Sequence, residues 1–461
     1  MPPTSPSPRI VVVGTGPAGV RAAQALVRAG VRPVVVDEGR RDGGQIYRRQ
    51  PEGFKRPYAK LYGSEAGKAT ALHQAFDALR PRLDHRPDSL AWNVRDGVLH
   101  VLQGETSQAL PFDALIVAAG ATDRIFPVPG WTLPGVYTLG GAQIALKAQA
   151  CAIGSRVAFV GTGPLLYLVA WQYLQAGANL ACVLDTSPPV TQARGLAGMA
   201  ARPGVLLRGL YYAAALRARG VKVLSGVTPL AFEGDGESLV AVRFADAARR
   251  EQRIACDAAG LGFHLRAETQ LADLAGCSFA FDPLLRQWLP QVDAMGRSSV
   301  NGVYLAGDGV RLAGADAAEC SGALAAHAAL ADLGLKRDEA AIETLLARHA
   351  TMLRFRDGVF KSFPWPGERL TATLADDTLV CRCESVSAGT LRQAVTAKGA
   401  PEVNRAKAFS RVGMGRCQGR FCGLASAEIV AQAQGIPVEA VGRLRGQAPV
   451  KPLPAAVKVT S

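Results

Sequence analysis

Two stretches of this chain carry the same order of residues at nearly the same spacing, and that repeat restricts the fold more than any other feature. Arg9 to Val13 reads as a buried strand. It leads into Gly14-Thr-Gly16-Pro-Ala18-Gly19, a helical pattern from about Val20 to Arg28, a stop at Gly30, and the strand Val34-Val35-Val36-Asp37. Arg156 to Val160, Gly161-Thr-Gly163-Pro-Leu-Leu166, a helical run to Ala176, Gly177 and Ala181-Cys-Val-Leu-Asp185 follow the same plan. A strand, a glycine turn, a helix and a strand ending in an acid form the unit of a dinucleotide-binding parallel sheet. The expected class is therefore α/β, with two Rossmann-type domains.

In the first unit each small residue has a task. Gly14 makes the tight turn, Gly16 lets the backbone approach a pyrophosphate, and Gly19 lets helix and strand pack closely. Ala18 keeps the same turn narrow. The helix N-terminus then faces a diphosphate with the positive end of its dipole. Asp37 closes the second strand where a carboxylate accepts ribose hydroxyls, with Glu38 as its rival. The second unit has Leu166 where the third glycine belongs, and no arginine cluster follows Asp185. Leucine there forces helix and strand apart. The reading is a degenerate nucleotide domain kept as scaffold; a working NAD(P)H site or a site for another nucleotide are the alternatives.

Four of the nine cysteines form two tight pairs, Cys381-Arg-Cys383 and Cys417-Gln-Gly-Arg-Phe-Cys422. Four convergent thiolates suit an iron–sulfur cluster or a structural zinc. Zinc pairs are usually spaced C-x2-4-C, so C-x-C favours a [2Fe–2S] cluster. Disulfides fit poorly with an odd cysteine total and no signal peptide. Cys151, Cys182, Cys256, Cys277 and Cys320 are isolated and read mostly as core. A cluster moves single electrons, so a two-electron carrier is expected elsewhere in the chain.

At 461 residues several domains are expected, with no apolar run long enough for a membrane span. Residues 1–8 read as a short disordered leader, and a cytoplasmic location follows, with the inner membrane reachable only through a complex. The net charge of +14 is spread rather than gathered into an aromatic-interleaved stripe, so no nucleic acid is expected. A basic surface that aids solubility, or an acidic partner or anionic cofactor, accounts for it.

Three further stretches accompany the first glycine turn: Gly43-Gly44-Gln45, Leu115-Ile-Val-Ala-Ala119-Gly120-Ala-Thr122, and Asn301-Gly-Val-Tyr-Leu-Ala-Gly307-Asp308-Gly309. The set resembles the glutathione reductase-like flavoproteins. That resemblance implies FAD, with the Asp308 carboxylate at its ribityl–phosphate end and the helix near Ala315 to Ala326 aimed at the flavin. Residues 40–60 lack the redox cysteine pair of the disulfide reductases. Val-Cys381-Arg-Cys383-Glu with Arg411-Val-Gly-Met-Gly-Arg-Cys417-Gln-Gly-Arg-Phe-Cys422 is similar to the bacterioferritin-associated ferredoxin-like [2Fe–2S] domain. The full order resembles the alpha chains of opine oxidases and of D-hydroxyproline and proline dehydrogenases, and the corresponding chain of hydrogen cyanide synthase.

The resemblance implies a small helical [2Fe–2S] domain after the two dinucleotide domains. Its expected bounds are 1–150 with 286–345 for FAD, 151–285 for the degenerate unit, 346–377 as linker, 378–445 for the cluster, and 446–461 as a loose tail. It further implies an oxidoreductase that works as one member of a complex, relaying electrons from oxidation of a small-molecule amine to an acceptor other than oxygen. Its implied partners are a small third subunit and an FAD-bearing, amine-oxidising beta subunit. FMN or a second nucleotide at a subunit interface stays open. The other readings are an NAD(P)H-dependent reductase feeding the cluster, and a non-catalytic cluster scaffold. No histidine sits in a motif that marks a base, and no catalytic residue is assigned.

Overall fold

Val303–Leu305, Ala114–Val117, Ile10–Val13, Val34–Val36 and Asp84–Arg86 line up, in that order, as one parallel sheet in a computed structural model of the chain. The structure describes residues 7–53 and 55–459. Most of the expected leader, residues 1–6, and the last two tail residues lie outside that range. Every position of Ile10–Val13 is buried, as a strand flanked on both sides must be. Helix Pro17–Arg28 starts with proline in its first turn and buries Ala18, Gly19, Val20, Ala22, Ala23, Leu26 and Val27. Those small residues let it lie against helix Ala315–Asp332. A Cβ on Gly322 of that helix would stand 2.0 Å from the Ala18 carbonyl oxygen. The two helices therefore touch backbone to backbone.

The second parallel sheet runs Val223–Ser225, Asn179–Asp185, Arg156–Thr162, Ala258–Phe263, Val136–Thr138. Its last strand, with helix Leu139–Ala148, comes from before residue 151, so the second unit starts earlier than expected. The chain also returns sooner than residue 286, because Leu265–Ala267 pairs antiparallel with Ala121–Asp123. Three antiparallel strands, Thr228–Gly234, Leu239–Ala245 and Glu251–Ala255, cover one side of this sheet.

Segment 346–377 is not a linker. Helix Glu339–Ser362 runs unbroken through 24 residues, capped by the Asp338 side chain on the Ala341 N–H. It lays Gly358 so close to Gly195 that a Cβ there would be 2.6 Å from the Gly195 carbonyl oxygen. Trp365, just beyond it, is buried in a core shared by the second sheet and the cysteine-bearing domain. The tail is not loose either. Val450 is buried and donates its N–H to the Trp92 carbonyl, and Lys458–Val459 pairs with Thr106–Ser107. Backbone pairing at a sheet edge and the buried Val450 hold it, which composition alone does not reveal.

In the cysteine domain Ser387 caps helix Ala388–Thr396, whose Leu391, Ala394 and Val395 are buried as their spacing predicts. The next helix is Val403–Ser410. Its cap is Glu402, which accepts the Asn404 N–H at 2.8 Å.

Candidate cofactor sites

Around the first glycine turn there is room only for glycine. A Cβ on Gly14 (φ +103°) would lie 2.4 Å from the Ala118 carbonyl oxygen, and one on Gly19 would lie 1.7 Å from that of Gly14. Gly44 (φ +61°) faces it across a slot, where a Cβ would be 2.9 Å from the Gly16 Cα. Helix Pro17–Arg28 has no side-chain cap and no acid in its first turn, so its leading N–H groups face the slot unopposed. Asp37 stands at the far wall. Its Oδ2 accepts the Thr15 hydroxyl at 2.6 Å and the Thr15 N–H, and its Oδ1 accepts the Gly39 N–H at 2.5 Å. The acid thus braces the turn it was expected to serve.

On the sheet's other flank Gly307 (φ +73°) approaches Ala18, and a Cβ there would come within 3.0 Å of the alanine methyl. Asp308 accepts the Gly314 N–H at 2.9 Å, and burial pushes its carboxyl above the ordinary range. No side-chain cation pairs with it among the described residues. Gly120 (φ +73°) opens onto empty space, and Ala119 before it is half-buried. Helix Ala315–Asp332 begins beside this carboxylate, also without a side-chain cap. Gly14 and Gly19 thus pack on Ala118 and on each other, Gly44 faces Gly16, and Gly307 approaches Ala18. Glu38 instead pairs with Lys451 at the surface, and Gln45 is exposed, accepting from Arg48 at 2.6 Å. Uncapped helix ends, glycine faces and an uncompensated acid fit a dinucleotide.

The second glycine turn is already filled. The His264 ring sits against Gly163, where a Cβ would be 2.8 Å from ring Nδ1 and Cε1. His264 has φ +64°, a conformation that a side chain rarely adopts. It is held there by a 2.5 Å hydrogen bond between Nε2 and the Phe363 carbonyl and by stacking on Phe360. Asp185 is wholly buried. It accepts from the Tyr167 hydroxyl at 2.7 Å, the Ser187 N–H at 2.8 Å and Gln192 at 3.2 Å. Leu166 is buried among Phe159, Tyr173 and Leu216.

Burial pushes His264 down to about 4 and Asp185 up to about 6. The two oppose each other on acidification. As pH falls from about 6.5 to about 4 the unfolded chain protonates its histidine first, which removes stability, at most about 1.4 kcal/mol per pH unit. Between about 6 and the ordinary aspartate value the folded chain takes up the Asp185 proton first, which adds stability. His264→Gln should therefore flatten the fall in melting temperature below pH 6.5, and Asp185→Asn should steepen it. Parallel shifts in both variants would refute this account.

The four cysteines of the two pairs do meet. The Cys422 sulfur is within hydrogen-bonding reach of both Cys381 and Cys417, and Cys417 of Cys383. Bonding to Cys422 and backbone N–H groups bring Cys381 down to about 6 and Cys417 to about 5. The donors to Cys381 include Gly413 and Glu384; those to Cys417 include Phe421 and Gly419. Gly415 must be glycine, since a Cβ would fall 2.2 Å from that of Cys383. Among the described residues no three metal-binding side chains close on a single ion. Four sulfurs this close together, met by backbone N–H donors, fit the four-thiolate set of an iron–sulfur cluster. Of the isolated cysteines, Cys182, Cys256, Cys277 and Cys320 are buried, and Cys151 is exposed.

Residues 8–329 match the family described as pyridine nucleotide-disulphide oxidoreductase, and residues 379–432 match the BFD-like [2Fe–2S] binding domain. The chain belongs to the pyridine nucleotide-disulphide oxidoreductase family. As a member of it the protein is a flavin oxidoreductase that binds FAD, and its second match adds a [2Fe–2S] cluster. It is 37% identical to an opine oxidase subunit of Rhizobium meliloti, over 96% of this chain and 86% of that one. It is 33% identical to hydrogen cyanide synthase subunit HcnB of Pseudomonas protegens, over 96% of each. The fold is similar to that of an L-proline dehydrogenase from P. horikoshii, with TM-score 0.72, 18% identity, and 98% of this chain and 79% of that one covered.

For a pyridine nucleotide-disulphide oxidoreductase, this chain departs from the family's name twice. Residues 40–60 hold no cysteine, and the second glycine turn is occupied by the chain's own side chains. Sequence reasoning misses Phe360 and Phe363 altogether, because nothing local to residues 358–365 points to a glycine turn far earlier in the chain. It also misses Asp42, fully buried and paired with Arg49 at 2.9 Å behind the Gly43–Gly44 turn. No helix among the described residues is long and apolar enough to cross a membrane.

Proposed function

We propose that this chain is the electron-relaying member of a multi-subunit amine or imino acid dehydrogenase of opine, D-hydroxyproline, proline or glycine type. When bound, FAD supplies two-electron chemistry on a carbon–nitrogen donor, and the cluster supplies one-electron transfer to an acceptor other than oxygen. Gly14, Gly16 and Gly44 admit the pyrophosphate, Asp37 meets the ribose and Asp308 the ribityl end. Cys381, Cys383, Cys417 and Cys422 hold the irons. The amine is oxidised on a separate FAD-bearing partner, with a small third subunit and an interface FMN as further parts of this reading. The relatives' names as subunits of opine oxidase and hydrogen cyanide synthase support it.

The observation that carries the reading is the asymmetry of the two glycine turns. One is open to a cofactor. The other is closed by His264 and Phe363, and its Asp185 is wholly buried. Reducing equivalents must then reach the flavin from something other than a pyridine nucleotide. Under anaerobic conditions neither NADH nor NADPH should bleach the visible flavin band of the purified protein. After reconstitution with the products of the neighbouring genes, an amine or imino acid should bleach it. Rapid bleaching by NADH alone would replace this reading with that of an NAD(P)H-fed reductase.

A further inference from the structure

Between Gly120 and the cysteine loop lies a buried group of three charges that the proposed function does not use. Arg266 is on the strand Leu265–Ala267, opposite Thr122. Glu268 follows it and donates its N–H to the Gly120 carbonyl at 3.0 Å. Arg420 lies inside the Cys417–Cys422 loop. Its Nε and one terminal nitrogen grip both Glu268 oxygens, at 2.7 and 3.3 Å. Its other nitrogen donates to the Cys417 carbonyl at 3.3 Å and the Val450 carbonyl at 2.7 Å. Arg266 reaches the same carboxylate only at 3.7 Å, and its NH1 is buried without a hydrogen-bond partner. The side chains of Arg266, Glu268 and Arg420 are 14%, 14% and 10% exposed.

The group holds two cations and one anion, so it carries one uncompensated positive charge in a poorly solvated place. Burial disfavours ionising Glu268, yet the two guanidiniums hold its carboxyl below the ordinary range. The carboxylate is therefore ionised between two guanidinium groups. The sulfurs of Cys417 and Cys422 are close enough to act on Arg266 electrostatically. We infer that Arg266, Glu268 and Arg420 set the reduction potential of the cluster, the excess positive charge favouring its reduced form. The inference rests on the reading of the four cysteines as cluster ligands. A cluster gains one negative charge on reduction and no bond changes. A fixed cation nearby then stabilises the reduced form more than the oxidised, and a fixed anion does the reverse. Arg266 and Glu268 touch no sulfur directly and are positioning residues.

The test is an EPR-monitored redox titration of the full-length protein with its cluster assembled, comparing Arg266→Gln, Arg266→Lys and Glu268→Gln with wild type. Arg266→Gln should disfavour reduction by about tenfold, which is about 59 mV lower for a one-electron couple. Arg266→Lys should recover most of that change. Glu268→Gln should move the potential the opposite way, although it breaks the Arg420 clamp. A role in holding the loop alone would shift both removals in one direction, or change cluster content without changing potential. A shift of both removals in one direction, or an unchanged potential in the clusters that do assemble, overturns the inference and leaves the cofactor reading standing. A wild-type protein with no cluster spectrum would overturn the cofactor reading, and the inference with it.

Discussion

Gly19→Ala is expected to give a folded protein that purifies with little or no FAD. The added methyl would lie 1.7 Å from the Gly14 carbonyl oxygen and 2.8 Å from its carbon. Both atoms are backbone, so no rotamer change relieves the contact. Helix Pro17–Arg28 must lift away from the turn, but its other side is pressed on Gly322 through the Ala18 carbonyl. The turn must therefore open, and the N–H groups of the helix leave the pyrophosphate position. FAD affinity should fall at least tenfold, or ~1.4 kcal/mol. The flavin-to-protein absorbance ratio and an FAD titration of the stripped protein measure it. Gly67→Ala is the control, since nothing lies within 4 Å of its added Cβ. Wild-type FAD content in Gly19→Ala, with an unaltered circular dichroism spectrum, would mean the slot is not where the cofactor binds.

The second unit shows the same position with a larger residue. Leu166 fills it, and the side chain joins the core with Phe159, Val169 and Tyr173. The sequence makes this legible because the repeat supplies a template, and a residue breaking a template stands out. The same holds for the cysteine pairs and for Ser387, whose signals are local in the chain. What stays hidden depends on contacts between distant segments. His264 reaches Phe363 across 99 residues, and Arg420 reaches Glu268 across 152. An Arg-x-Glu at the end of a three-residue strand carries no periodicity that would mark it as buried. Val136–Thr138 is three residues long, too short for alternation to declare a strand, so the expected start of the second unit falls too late. Pro364-Trp365-Pro366, inside the expected linker 346–377, misleads in the opposite sense. Proline on both sides of a residue signals an irregular backbone, but the tryptophan between them is buried and tied to both neighbouring units.

That tryptophan makes the other large effect. Trp365 is 7% exposed and packs edge-on against Phe126 and Phe263 of the second unit. Its Nε1 donates at 2.9 Å to Glu428, on helix Gly423–Gln434 of the cluster domain. The Arg124 guanidinium lies 3.5 Å over its ring, fully buried and donating to the Leu285 and Arg286 carbonyls. Trp365→Ala removes a large buried side chain, for which ~3–5 kcal/mol is usual. It also strips a buried arginine of its aromatic face and Glu428 of a donor, which places the loss at the upper end. Trp365→Phe keeps an aromatic ring and loses the N–H, so its cost should be about 1–3 kcal/mol. The damage falls on the junction rather than within either unit. Denaturant should therefore bleach the cluster of Trp365→Ala well before it releases the flavin, whereas in wild type the two signals stay close together. Cluster absorbance and flavin fluorescence followed in one titration report both. If the alanine variant loses both signals at the wild-type midpoint, Trp365 does not join the units, and the shared core is held by the aliphatic contacts around Val380 and Leu391 instead.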